Sequence, residues 1–356
     1  MPSNPSKNRH PLRGALLGFG NVAIHAHLPL WQRNNNFRID AVVEPFTDQA
    51  RLVRGLLPEA ALYRAIDSLL ARHDLDFVDI CTPPCFHAEL ALAACRSGLH
   101  VFCEKPLVTT IGSLLEIEQA AAACQRVVFT VNNWKHAPLW RRALQLIRQG
   151  AIGSVRGIDL TVLRPPNSGG GTSNWRMCRE VAGGGILLDH GWHHLYLILT
   201  IVDEPPLRIS ARMDYAPGDL SCLEETVDLV IQFRSGAEAR LHLTWRASCR
   251  RNYGTVEGDR GRLLINDDHL VLCRADDPPL RHDFPEALSG GSHHLEWMEP
   301  VVEGFFREIL DAESRGANLM ESKWCALLTC LAYQSHQEGS RFMEIGDPSL
   351  QEFPWS

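Results

Sequence analysis

The 356-residue chain is predicted to be an α/β protein. An N-terminal doubly wound parallel sheet of Rossmann type is followed by an α+β domain with a large, mostly antiparallel open sheet. Three observations predict this. Apolar runs of strand length alternate with helical stretches as far as residue 132. Each run ends in turn-forming or charged residues. From about Val155 the helices give way to alternating strands joined by tight turns. The composition, 45% hydrophobic and 22% charged, is that of a globular protein. The expected organisation is a disordered tail at 1–11, a Rossmann-type domain at 12–133 and an α+β domain at 134–356.

The elements follow in order. "LRGALLGFG" reads as a buried strand ending in a glycine turn, and "NVAIHAHLPLWQRN" as a helix despite Pro29. "FRIDAVVEP" is a strand and "TDQARLVRGL" a helix. A short strand near Ala61–Tyr63 precedes the helix "AIDSLLARH". "DFVDICTPP" and "LHVFCEKP" are strands around the amphipathic helix "HAELALAACRSG", and "TTIGSLLEIEQAAAACQ" with "RVVFTVN" completes the series. Short joints between β and α units imply right-handed crossovers and a parallel sheet. In the second half "SVRGIDLTVLR", "LRISARMDY", "TVDLVIQFRSG", "AEARLHLTWRAS", "RNYGTVEGDRGRLLI" and "HLVLCRA" read as strands, with a hairpin turn at Ser235–Gly236.

Several function classes are disfavoured. The net charge is −7 and the basic residues are dispersed, so no nucleic-acid footprint is expected. No apolar run approaches the ~18 residues that cross a bilayer. "MPSNPSKNRHP" has no apolar segment of the signal-peptide kind, so a cytoplasmic protein is expected. The eleven cysteines are odd in number and include no C-x-x-C pair; Cys95, Cys124, Cys325 and Cys330 lie in apolar runs, so reduced thiols are expected.

"GFGNVA" spaces Gly18, Gly20 and Ala23 as in G-x-G-x-x-G/A, between a strand and a helix. The first glycine permits the tight turn, the second admits a pyrophosphate, and the small third residue lets helix and strand pack closely. The anion would lie on the helix N-terminus, which assigns Gly18, Phe19, Gly20, Asn21, Val22 and Ala23 to cofactor binding. Glu44 ends the second strand, where a carboxylate accepts from ribose hydroxyls and repels a 2′-phosphate. No Arg or Lys follows it at once, which favours NAD over NADP. A solvated surface Glu is the alternative, and Arg38 and Asp40 lie close by. These segments, Cys81–Pro84 and Glu104–Pro106 all end strands, so they should converge on one crevice.

The glycine loop, "CEKPL" and "GGGILLDHGWHH", occurring in this order, carry a resemblance to the Gfo/Idh/MocA oxidoreductases, sugar and inositol dehydrogenases that use a nicotinamide cofactor. It extends from Leu12 to about Ile345. "CTPPCFHAELALAACRSGLHVFCEKP" is similar to the family's T-P-x-x-x-H…E-K-P block, which implies that Thr82, Pro83, His87, Glu104 and Lys105 meet the cofactor. The resemblance implies that Lys105 also approaches the substrate, and that Lys105–Pro106 is a candidate cis peptide. An ammonium there would stabilise charge developing on a reacting oxygen.

Asp189 and His193 are four apart, on one helical face. The resemblance assigns His193 as general acid/base and Asp189 as the acid that positions substrate or histidine. Histidine suits proton transfer because it titrates near neutrality. His190 and His194 compete for that role, and Tyr196 stands where the family often has an acid. No thiolate or carboxylate cluster has ligand spacing, so no metal is expected. "PPNSGGGTSNWRMCRE" is a glycine-rich loop, read either as a bland connection or as a wall bearing Trp175 and Arg176 against the substrate. Lys135 and His136 follow the last strand of the first domain, and Lys135 is expected to reach the cleft.

The expected protein is an NAD(P)-dependent dehydrogenase acting on a hydroxyl or keto carbon of a sugar, cyclitol or polyol. The resemblance implies that residues 12–133 bind the dinucleotide and that residues 134–356 bind the substrate and build homo-oligomers through their sheet. Two alternatives remain open at this point: an enzyme using tightly held NAD transiently for epimerisation, elimination or glycoside cleavage, and a non-catalytic sugar sensor.

Overall fold

The structure is a computed structural model that describes residues 10–71, 74–166, 174–215, 223–291 and 293–346. Six short strands open it: β1 (Leu12–Leu17), β2 (Phe37–Val43), β3 (Ala61–Tyr63), β4 (Phe77–Ile80), β5 (His100–Cys103) and β6 (Val128–Thr130). They form one sheet in the order β3-β2-β1-β4-β5-β6, with every pairing parallel. Between them run α1 (Leu28–Arg33), α2 (Thr47–Leu56), α3 (Ile66–Leu70), α4 (His87–Arg96) and α5 (Ile111–Cys124). The strand order reverses between β1 and β4, so the crevice above their carboxyl ends is the place where such a sheet receives a ligand.

The helix expected over residues 21–34 is interrupted. A π turn covers Ala23–His27, and α1 begins only at Leu28 with Pro29 in its first turn. Pro29 has no N–H to give the preceding turn, and its ring excludes the carbonyl four residues earlier. The widened turn removes that conflict.

The second half contributes α6 (Pro138–Arg148), β7 (Val155–Leu163), α7 (Arg179–Ala182), α8 (Trp192–Val202), β8 (Pro206–Tyr215), β9 (Glu224–Phe233), β10 (Glu238–Thr244), β11 (Arg251–Gly258), β12 (Gly261–Asn266), β13 (His269–Arg274), β14 (Asp277–Asp283), α9 (Leu295–Leu310), α10 (Ala317–Gln337) and β15 (Met343–Glu344). Its nine strands are ordered β14-β13-β12-β11-β7-β10-β9-β8-β15, antiparallel except for β7 with β10. Period-two burial orients the sheet: Val227, Leu229, Ile231 and Phe233 face the core, while Asp228, Gln232, Arg240 and His242 lie on the other face. The run read as one strand over residues 251–265 is two, β11 and β12, turning at Asp259–Arg260. The edge strand β14 went unread because its two prolines mask it, and an edge tolerates them.

α9 returns to the first sheet. Its Met298, Val301, Val302 and Phe305 join Phe37, Phe77, Phe102 and Phe129 in one apolar cluster. α10 then ties the two sheets together. Its Asn318 bonds both the N–H and the carbonyl of Thr130 in β6, and Ser322 bonds the Thr130 hydroxyl. No helix among the described residues is long and apolar enough to cross a membrane.

Candidate active site

The glycine loop is shaped by its neighbours. Gly18 has φ +86°, and a Cβ there would press on Thr82 and the Cys81 carbonyl at the end of β4. Gly20 faces open space, which leaves room for a bulky anion above the turn. Glu44 is 3% exposed, and its carboxylate accepts the N–H of Phe19 and of Phe46, each at 2.8 Å. The acid expected at the ribose therefore first braces the loop, and only the remaining lone pairs of its oxygens are open. A cation joins it that the neighbouring sequence does not show: Arg64, just after β3, donates to the Pro45 carbonyl at 2.5 Å.

Lys105 follows β5, and its peptide bond to Pro106 is cis. Its ammonium donates to the Asp189 carbonyl at 2.6 Å and lies 3.6 Å from the Asp189 carboxylate. The strand end of the first domain thus meets the helical segment of the second. Asp189 lies in a π turn, Leu187–Gly191, that leads into α8. Such turns recur at functional sites.

That turn is anchored by close approach. A Cβ on Gly184 would lie 2.2 Å from the Tyr333 hydroxyl, and one on Gly185 2.2 Å from the Glu224 carbonyl. The buried Glu224 carboxylate accepts from the N–H groups of Gly185 and Leu187 and from the Tyr333 hydroxyl. A carboxylate on free N–H groups at a helical N-terminus is favourable, so Glu224 fixes where Asp189 and His193 point.

His193 is 8% exposed, its ring stacked on Trp134 with centroids 5.2 Å apart. Its Nδ1 is 2.8 Å from the Tyr196 hydroxyl, and Nε2 has no partner among the described residues. Burial, and then the positive field of Lys105, push its pKa well below the ordinary value. Burial and nearby Arg164 similarly bring His190 down to about 3 and His194 to about 4, against the pull of Asp189 on the former. For Asp189 burial works against ionisation, yet His190, Lys105 and Arg176 bring its carboxyl down to about 2. Near neutrality the site therefore holds an ammonium, a carboxylate and a neutral imidazole.

Other expected residues lie elsewhere. His87 does not reach the crevice: it is 1% exposed, and its ring nitrogens are both 2.7 Å from carbonyls, those of Pro106 and Thr82. No polar atom of it is left for a cofactor; it clamps the Thr82 loop to the Pro106 turn. Lys135 does not join Lys105 either. It pairs with Glu321 at 2.6 Å behind the Tyr196 ring, lining a groove of about 780 Å³ that none of Lys105, Asp189 and His193 touches. Of the glycine-rich loop, residues 167–173 lie outside the described residues. Trp175 and Arg176 follow directly, with the guanidinium 4.3 Å over the indole and close enough to act on Asp189. Glu104 lies between Lys105 and the buried His27, which sequence reasoning passed over. Asp79, which His27 also meets, did leave a signal: it is a charge inside the apolar run Phe77–Cys81.

Comparison with known proteins gives concordant findings. Residues 12–132 match the model of an oxidoreductase family with an NAD-binding Rossmann fold, and residues 140–264 match the GFO/IDH/MocA C-terminal domain. Levoglucosan dehydrogenase of Pseudarthrobacter phenanthrenivorans is 29% identical over 265 residues, 66% of this chain and 67% of that protein. Inositol 2-dehydrogenase of Rhizobium meliloti is 28% identical over 291 residues, 77% of this chain and 82% of that protein. Among solved structures, an inositol dehydrogenase homolog from Azotobacter vinelandii complexed with NAD+ superposes with a TM-score of 0.81. Its identity is 20%, over 94% of this chain and 98% of that one, and it speaks for the fold.

Proposed function

The chain belongs to the Gfo/Idh/MocA family of NAD-binding oxidoreductases, and from that premise we propose that Lys105, His193 and Asp189 carry hydride transfer at a hydroxyl-bearing carbon of a cyclic polyol, an inositol or anhydrosugar in particular. The single observation behind this reading is the contact of Lys105 with Asp189, which brings ammonium, carboxylate and neutral imidazole to one crevice.

When bound in this crevice, a nicotinamide would supply the hydride acceptor for oxidation and the hydride donor for reduction. Everything else falls to the protein. His193 takes the substrate hydroxyl proton on its free Nε2, as a base that is already neutral. Lys105 keeps two of its three N–H donors for the oxygen on which charge develops. The ionised Asp189 accepts from a neighbouring substrate hydroxyl and so fixes which carbon faces the cofactor. In reduction the same residues run in reverse, with protonated His193 returning the proton.

The crevice suits the dinucleotide. Gly18 makes the tight turn against Thr82, Gly20 leaves space for a pyrophosphate, and Thr82, Pro83 and Glu104 line the strand ends beyond it. The lone pairs of Glu44 not used by backbone are offered to ribose, in support of NAD. Trp175 and Arg176 wall the substrate side. The polar outer face of the second sheet, with Asp228, Arg240 and His242, joins copies of the chain into an oligomer in the cytoplasm.

The deciding experiment assays the purified protein for bound NAD(H), then screens NAD+ and NADP+ against inositols, anhydrosugars and open-chain polyols by absorbance of reduced cofactor. Turnover that disappears in Lys105→Ala and His193→Ala supports the assignment. Bound nucleotide without net turnover points to transient redox chemistry. Absence of nucleotide binding would overturn the reading. Light scattering on the same sample checks the oligomer, which a monomer would refute.

A further inference from the structure

Beneath the ends of β4 and β5 runs a chain of buried hydrogen bonds that the reaction above does not use. His27 Nδ1 is 3.0 and 2.9 Å from the two carboxylate oxygens of Asp79, and its Nε2 is 2.9 Å from Glu104 Oε1. Asp79 also accepts from the Trp31 indole at 2.6 Å and from the Cys81 thiol at 3.5 Å. Ionised carboxylates only accept, so the imidazole between them donates from both nitrogens. The geometry is that of one imidazolium shared by two carboxylates, an arrangement of net charge −1.

Its location gives that charge a direction. The side chains of His27 and Asp79 are fully buried, while that of Glu104 is 16% exposed beside Lys105. Only Glu104 meets the crevice. The positive charge of Lys105 faces the Asp189 carboxylate, which offsets it. The titratable groups around His27 and Glu104 include Asp79, Cys81, Cys103, Lys105, His87, Tyr196 and His293. Burial opposes charge on His27, but Asp79 raises its pKa well above the ordinary value. Burial opposes ionisation of Glu104, but His27 and Lys105 keep its pKa low.

We propose that His27 is a positioning residue that holds a permanent carboxylate, Glu104, at the end of β5, and that this carboxylate makes the site bind the oxidised nicotinamide more tightly than the reduced one. The proposal rests on the reading of this crevice as the cofactor site, with nicotinamide over β4 and β5 and adenosine over β2. The oxidised ring is a cation and the reduced ring is neutral, so a fixed anion little screened by water favours the former. The π turn Ala23–His27 belongs to the device, since it brings His27 under β4 from the helix that follows the glycine loop.

The test is calorimetry of NAD+ and NADH binding to the full chain at neutral pH. Glu104→Gln should weaken NAD+ relative to NADH by about tenfold, or about 30 mV for a two-electron couple. His27→Gln leaves Glu104 without its cation, so the carboxyl takes up a proton and the ratio moves the same way. The double variant should go no further than either single one, a coupling that general loosening of the fold would not produce. Should His27→Gln fail to fold, nitrogen NMR of the unaltered protein still decides: both His27 ring N–H groups should persist well above pH 6.5, the ordinary histidine pKa being about 6.5. An unchanged ratio in Glu104→Gln, additive effects or a neutral His27 ring would each overturn the proposal. So would stoichiometric zinc on His27, Asp79 and Cys81, whose candidate ligand atoms lie within 4.8 Å of one another. Failure of the unaltered protein to bind either nucleotide would instead overturn the oxidoreductase reading beneath it.

Discussion

His27 and His193 flank the same crevice from two regions, one beneath the strand ends and behind Glu104, the other on the helical wall, and both are buried. Their charge states are opposite. His27 lies between two carboxylates and keeps its second proton; His193 has Lys105, His190 and His194 around it and a phenol on Nδ1. Burial alone would neutralise both. The difference shows that the partner on each ring nitrogen, and not depth, decides whether a histidine here is a fixed cation or an available base.

The largest effects should come from the helical wall. His193→Ala removes the proposed base and should lower kcat by about 10²–10⁴-fold. Lys105→Ala, just after β5, removes the proposed oxyanion donor and should cost about 10²–10³-fold. Affinity for NAD+ should change little in the histidine variant, because His193 lies on α8 and not on the glycine loop. The comparison also fixes a pH profile. Since the pKa of His193 is well below the ordinary value, the acid limb of kcat/KM for oxidation should lie below pH 6.5, the reference being about 6.5. A limb above neutrality would place the proton on another group.

Stability should carry the same contrast at smaller size. His190 at about 3, His194 at about 4 and the depressed His193 take up protons more readily in the unfolded chain. Below about pH 6.5 each therefore erodes stability as the pH falls, by at most ~1.4 kcal/mol per pH unit. His27 runs the other way: its contribution is complete below about pH 6.5 and is lost only as the pH rises through its raised folded value. Denaturant melts from neutral to mildly acidic pH should show a falling midpoint, with a shallower slope in His194→Gln. An unchanged slope in that variant would remove His194 from the account.

What the sequence discloses of this contrast is uneven, for a physical reason. The glycine loop, Glu104–Pro106 and the run from Gly183 to His193 are legible because each is local turn chemistry at an element boundary. The same holds for the parallel sheet and most of the second one, whose periodicities are short-range. The partners are not local. His27 meets Asp79 across 52 residues, and Gly185 meets Glu224 across 39. Neither a motif that resembles the family's at His87 nor the residue type at Lys135 says which way a side chain points, and the structure turns these two to the Thr82 and Pro106 carbonyls and to Glu321. Arg64 entered the neighbourhood of Glu44 only through the pairing of β2 with β3.

Tyr196 offers the finest cut at the comparison. Its fully buried hydroxyl accepts the Trp134 N–H at 2.9 Å and meets His193 Nδ1 at 2.8 Å. It can donate to a bare Nδ1 or accept from a protonated one, so it serves His193 in either tautomer without moving a heavy atom. Tyr196→Phe leaves both partners unpaired and should cost about 1–3 kcal/mol of stability. A comparable loss of orientation in the base should lower kcat by about tenfold while KM for NAD+ holds. Tyr196→Glu breaks the comparison deliberately: a carboxylate on Nδ1 gives His193 one of the two partners that keep His27 charged. The acid limb of oxidation should then move upward in the Glu variant and stay in place in the Phe variant. A limb that moves in neither would mean that the field of Lys105, and not the partner on Nδ1, governs when His193 holds its proton.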